Sequence, residues 1–149
     1  MEIKFIISFF AIAILISVFK KKWDTFKIIT VLMSFSILLI WIPSNLVKLI
    51  SYLGFALASL SFFIYTLRIR DKNKFLIFTI RLTPLFFTIN LTFKLMHWPF
   101  ASEIIILSTI PISLYLISLF FGIFKRKEFW IITLLIVDLT WSFFYQLVP

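Results

Sequence analysis

The chain has 149 residues, one domain by length, with 62% hydrophobic residues, 14% charged residues and a formal net charge of +9. Soluble globules carry about a quarter charged residues, whereas the apolar residues here run in continuous blocks long enough for a helix to cross ~30 Å of hydrocarbon. Zero cysteines exclude disulfides, thiol nucleophiles, thiolate zinc sites and iron-sulfur clusters, and a single histidine leaves most hydrolase and metal-site templates without their parts.

The first block, Ile3 to Phe19, is followed by Lys20, Lys21 and Lys22. A secretory signal has its positive charge before the core and small residues after it, so this block reads as a retained helix. The second, Ile28 to Ile42, ends at Trp41-Ile42-Pro43, and Ser44-Asn45 leads into the third, Leu46 to Leu67. Proline just past one helix and Ser/Asn before the next are stop and cap signals. The charged run Arg68 to Lys74 interrupts. Phe75 to Met96 forms the fourth helix with Pro84 inside, and Ile104 to Phe124 the fifth with Pro111 inside. Membrane helices tolerate internal proline, so kinks are expected there. Lys125 to Glu128 separates these from Phe129 to Val148. Continuous blocks and only two glycines argue against a β-barrel. The expectation is an all-α, polytopic membrane bundle of about six transmembrane helices, spanning residues 1–149 as a single integral membrane domain.

Basic residues sort by loop. Lys20, Lys21, Lys22, Lys27, Arg68, Arg70, Lys72, Lys74, Lys125, Arg126 and Lys127 fall in the odd loops, against Lys4, Lys48 and Lys94 on the other side. By the positive-inside rule the odd loops are cytoplasmic and both termini face outward. The charge is then a topology signal with an attraction for the lipid bilayer, and no nucleic-acid footprint. Trp23, Trp41, Trp98 and Trp130 near helix ends suit the membrane interface.

Ser51, Gly54, Ala58, Ser61 and Tyr65 on the third helix repeat the spacing of Ser108, Pro111, Tyr115, Ser118 and Gly122 on the fifth. Each set lies on one stripe of small and polar residues, the kind of seam along which membrane helices pack closely. The matching spacing also allows a duplicated hairpin of the kind found in some transporters.

Asp138 lies nine residues after Phe129, hence ~14 Å along its helix, where an acidic side chain is costly in lipid. Arg81, on a helix of the same direction, is expected to pair with it. The pair reads either as a structural neutralisation or as part of an ion relay with the Thr88 and Thr92 stripe. Lys94, His97, Trp98, Pro99 and Glu103 mark the outer turn between the fourth and fifth helices, where Lys94 and Glu103 complement the helix dipoles. Ala101-Ser102 suits a capped helix start. One histidine and one carboxylate make a poor metal site, so no metal and no cofactor are expected.

The run Phe93-Lys94-Leu95-Met96-His97-Trp98-Pro99, followed by Ala101-Ser102, resembles the membrane hairpin of the GldL family of gliding-motility and type IX secretion motor subunits of Bacteroidota. That family has Phe-Lys-(Ile/Leu)-Met-His-(Trp/Phe)-Pro-Gly-Ala between two membrane helices. The resemblance spans about Asn90 to Phe121 and implies a periplasmic turn in a bacterial inner membrane. Phe100 stands where the family has glycine, and Ile112 where it has an acidic residue, so the ion-driven motor role does not carry over. The expected function is a non-enzymatic, multi-pass subunit or scaffold of a membrane complex, with a membrane-protein partner or as a homo-oligomer. The alternatives are a small transporter or channel using Arg81 and Asp138, and a membrane-disrupting effector.

Overall fold

The computed structural model describes residues 3–19, 24–97 and 99–147, and among them the chain is helical throughout, without strands. The helices are α1 (Ile3–Phe19), α2 (Thr25–Leu39), α3 (Asn45–Leu67), α4 (Lys74–Leu95), α5 (Ala101–Leu107), α6 (Thr109–Phe120) and α7 (Phe129–Leu147), with a 3-10 turn at Ile123–Lys125. Among the described residues, three helical stretches are long and apolar enough to cross a membrane: Asn45–Leu67, Lys74–Leu95 and Glu103–Phe120. Trp23 and Trp98 lie outside the described residues.

Several boundaries differ from the sequence expectation, each for a local reason. α2 begins three residues before Ile28 because the Asp24 carboxylate accepts a hydrogen bond from the Lys27 amide at 2.8 Å, satisfying a free N–H of the first turn. It also ends earlier. The amides of Ile40, Trp41 and Ile42 each bond three residues back, a tightening that precedes Pro43. α4 starts at Lys74 because the Asn73 side chain accepts from the Phe75 and Leu76 amides at 3.1 and 3.2 Å.

The expected kink at Pro111 shows as one turn residue, Ser108, which keeps a right-handed backbone (φ −66°, ψ −11°) within the stretch Glu103–Phe120. Proline clashes with the carbonyl four residues before it, here that of Leu107, and Leu107 is the last residue of α5. Pro84, by contrast, sits inside an unbroken α4. The expected cap at Ala101-Ser102 is also corrected. α5 starts at Ala101 itself, and Phe100, in the cap position, gives no side-chain cap. The expected fifth helix stops short of Phe124 because Gly122 takes the left-handed conformation, φ 81°.

Contacts divide the chain into two compact units, Met1–Tyr65 and Thr66–Pro149. In unit 1, α1 packs along α2 over a core that includes Ala11, Ile14, Met33 and Ile37. The Trp41 indole donates to the Ser8 hydroxyl at 2.6 Å and stands edge-on to Phe5. Ser51 of α3 donates to the Ser36 carbonyl of α2, and Phe26 meets Phe62 and Tyr65.

In unit 2, α4 packs against α5, α6 and α7, and α7 also touches α5 and α6. Ile131, Ile132, Leu134, Leu135, Ile136 and Leu139 are all buried. A helix buried on more than one face is the centre of its unit. Around it, large apolar side chains remain bare, with Phe120 92% exposed. Such surfaces suit a lipid solvent, which places no premium on hiding hydrocarbon.

Candidate functional site

The polar residues of α4 divide between two jobs. Thr79, Thr83 and Asn90 lie on its buried face. The hydroxyls of Thr79, Thr83, Thr88 and Thr92 all donate to the carbonyl four residues back on the same helix. Thr88 and Thr92, expected to share a stripe with Arg81, are half-buried and turned to their own backbone.

Arg81 does not meet Asp138. Its Nε donates to the Thr66 carbonyl at 3.2 Å, and its Nη2 to the carbonyls of Leu67 at 3.1 Å and Ile69 at 3.2 Å. Those carbonyls belong to the end of α3 and the residues after it, where a helix leaves acceptors without intrahelical donors. The guanidinium is a planar fork that matches several acceptors at once, and its charge complements a helix C-terminus. Arg81 therefore caps a helix, and the expected ion pair with Asp138 is corrected.

Asp138 lies nearer a different cation. Lys94, near the end of α4, donates from Nζ to the Ser142 hydroxyl at 2.7 Å, and Asp138, one turn before Ser142 on α7, lies within electrostatic range of it. Two contacts fix the relative direction of these helices. Asp71, just before α4, is ion-paired with Arg126, just before α7, while Lys94 and Ser142 join their far halves. α4 and α7 thus run parallel. Asn90 lies one turn before Lys94 on the same face, as Asp138 lies one turn before Ser142. Asn90 is 2% exposed and its Oδ1 has no hydrogen-bond partner among the described residues. Lys94 and Ser142 are thus in contact, with Asp138 and Asn90 each one turn earlier on its own helix. The contact can hold two helices in register, and Asn90 offers one vacant acceptor.

The turn between α4 and α5 has a specific backbone. His97 (φ 50°) and Phe100 (φ 68°) both take left-handed conformations, and Met96, His97, Pro99 and Phe100 are exposed. Lys94, expected to belong to this turn, points instead into the unit. Glu103 is exposed on the first turn of α5. No group of three or more metal-ligating side chains occurs among the described residues.

Of the small-residue stripes, Ser108, Pro111, Tyr115 and Ser118 are buried together, and Gly122 ends the rod. The Tyr115 hydroxyl is 2.7 Å from that of Thr133 on α7, which joins the stripe to the central helix. On α3, Ser51 and Ala58 are buried and Gly54 lies against Ser36, but Ser61 is exposed and bonds to the Leu57 carbonyl. The seam there passes through Phe55, Ser59 and Phe62.

Sequence reasoning missed Asn90 and Ser142. The signal was present as two polar pairs at i, i+4, Asn90/Lys94 and Asp138/Ser142, on apolar helices of the same direction. It also missed Glu128, 2% exposed at the start of α7, and the Asp71–Arg126 pair. Compared with protein-family models, curated proteins and solved structures, the chain matches none.

Proposed function

We propose that this chain is a non-enzymatic, multi-pass protein of the bacterial inner membrane, a subunit or scaffold of a membrane complex, with both termini outward and the turn at residues 96–100 as its docking surface. The observation that carries this reading is the use to which the charges within the helices are put. Arg81 is held on three backbone carbonyls and Lys94 on Ser142, within electrostatic range of Asp138. Both cations serve internal structure, while the outer turn presents Met96 and Phe100, 59% and 67% exposed, on a backbone constrained by two left-handed residues. Exposed apolar groups on a fixed frame suit a protein partner. The GldL-like reading of this turn rests on the sequence run itself; Phe100, which stands where that family has glycine, takes a left-handed backbone, a conformation glycine adopts at no steric cost.

Affinity purification from native membranes in mild detergent tests the proposal. A stoichiometric membrane partner, or a defined homo-oligomer, is expected with the wild-type chain and lost on Met96→Ser/Phe100→Ser at unchanged expression. A monomer without partners counts against it.

A second reading, ion or solute transport, is favoured by the buried Asn90, whose Oδ1 has no partner among the described residues, one turn before Lys94 on α4. Its test is flux into liposomes: transport abolished by Asp138→Asn, in a variant that still folds, supports this reading over the first.

A further inference from the structure

Beside residues 69–71 and the first two turns of α4 lies an open cavity of about 430 Å³, lined by Ile69, Arg70, Asp71, Lys74, Ile77, Phe78 and Arg81. Its lining mixes basic and apolar side chains. Asp71 is occupied by Arg126, which leaves the positive charges of Arg70, Lys74 and Arg81 without an acid among the lining residues. Arg81 is fixed in place through Nε and Nη2, so its remaining amino group, Nη1, is a positioned donor with no acceptor among the described residues. Arg70 and Lys74 are exposed and make no hydrogen bond or ion pair among the described residues.

Ile69, Ile77 and the exposed Phe78 supply its apolar lining. Ile77 and Phe78 lie one turn into α4, ~5 Å along its axis from Lys74, and Arg81 about one turn further. Arg70 and Lys74 thus stand at the mouth of a helix apolar enough to cross a membrane, and Arg81, rooted a turn beyond the apolar pair, carries its guanidinium back to the carbonyls of Thr66, Leu67 and Ile69. Three cations recognise a phosphate group. An apolar lining one turn into the helix is superfluous for a free anion and matches the glycerol and upper acyl region of a lipid.

We infer that this cavity is a binding site for the phosphate headgroup of an anionic phospholipid, with Arg70, Lys74 and the Arg81 Nη1 on the phosphate and Ile77 and Phe78 along the chains. The site rests on membrane insertion and is independent of whether the protein is a subunit or a transporter.

The test uses the purified full-length protein in a mild nonionic detergent, with bound lipid counted by native mass spectrometry and stability followed by Tm. Phosphatidylglycerol is added in one arm, phosphatidylcholine in a second and inorganic phosphate in a third. One tightly retained phosphatidylglycerol and a raised Tm are expected, with little effect of the other two additives. Arg70→Ala/Lys74→Ala is expected to weaken retention about thirtyfold, at roughly a fivefold loss per surface cation. Arg68→Ala/Lys72→Ala removes the same charge outside the cavity and is expected to leave retention within about twofold of wild type. Equal losses in the two double variants overturn the site, because they show attraction by net charge alone. Equal retention of phosphatidylcholine overturns the headgroup assignment, and an equal Tm rise with inorganic phosphate assigns the cavity to a soluble anion. The single variant Arg70→Gln serves as a second probe if the double variant folds poorly, and undiminished retention there also counts against the site.

Discussion

Among the described contacts, unit 1 joins its helices by the Trp41 indole on Ser8, the Ser51 hydroxyl on the Ser36 carbonyl and the near approach allowed by Gly54, beside one buried cation, Lys27 of α2. Unit 2 uses charges: Arg126 on Asp71, Arg81 on the end of α3, and Lys94 on Ser142, within electrostatic range of Asp138. The difference teaches what each kind of joint requires. Neutral seams between apolar helices rest on shape, since lipid is as apolar as the helix it replaces. Charged joints rest on completeness, because a charge withdrawn from water is tolerated only while its partners remain. Substitutions in unit 2 should therefore act through orphaned groups, and those in unit 1 through volume.

The largest effect is expected at Lys94 and Asp138. Removing either charge alone, as in Lys94→Met or Asp138→Leu, leaves the other without its counter-charge and should destabilise the protein by about 3 kcal/mol. The double variant Lys94→Met/Asp138→Leu should recover most of that loss, because nothing is then orphaned. Reversible unfolding in mixed micelles supplies the double-mutant cycle. Additive losses in the double variant would show that the two residues act separately, and the contrast between the units would lose its main support.

Arg81 comes next. Arg81→Met strips charged donors from the carbonyls of Thr66, Leu67 and Ile69, with an expected cost of about 2 kcal/mol. Arg81→Lys should recover only part, since an ammonium lacks the fork that spans these acceptors. Hydrogen exchange locates the damage. The Ile69 amide, bonded to the Thr66 carbonyl at 3.1 Å, should lose protection first in Arg81→Met, and unchanged protection there would remove the capping role.

Much of the fold was legible because apolar block length reports directly on helices of this kind. The starts and stops were less so: Asp24 and Asn73 act as caps through side-chain geometry that an apolar-block reading passes over. Pro84 and Pro111 have the same local signature, yet one lies inside an unbroken helix and the other follows a one-residue interruption at Ser108. The candidate site was legible as residue types and not as partners. Asp138 stood out by its cost in lipid, but depth along a helix could not decide between Arg81 and Lys94. A lysine stem reaches several ångströms along a neighbouring helix, and an arginine near a helix end finds free carbonyls first.

The two glycines of the chain give the finest test, because they separate volume from conformation. At Gly54 an added Cβ would stand 2.8 Å from the Ser36 hydroxyl oxygen, with ordinary helical backbone. Gly54→Ala should cost little if that hydroxyl rotates away, while Gly54→Val, whose branches cannot be accommodated by one rotamer, should cost about 2 kcal/mol. At Gly122 the space is open, the nearest atom to an added Cβ being the Lys125 Cδ at 4.0 Å, but φ is 81°. Gly122→Ala should therefore cost about 1 kcal/mol through the backbone alone, and Gly122→Val should cost more through its β-branch and not through crowding. Gly122→Asn should recover part of the loss, since asparagine tolerates the left-handed region, whereas Gly54→Asn should not. Equal rescue by asparagine at both positions would mean that the seam of unit 1 is not limited by volume.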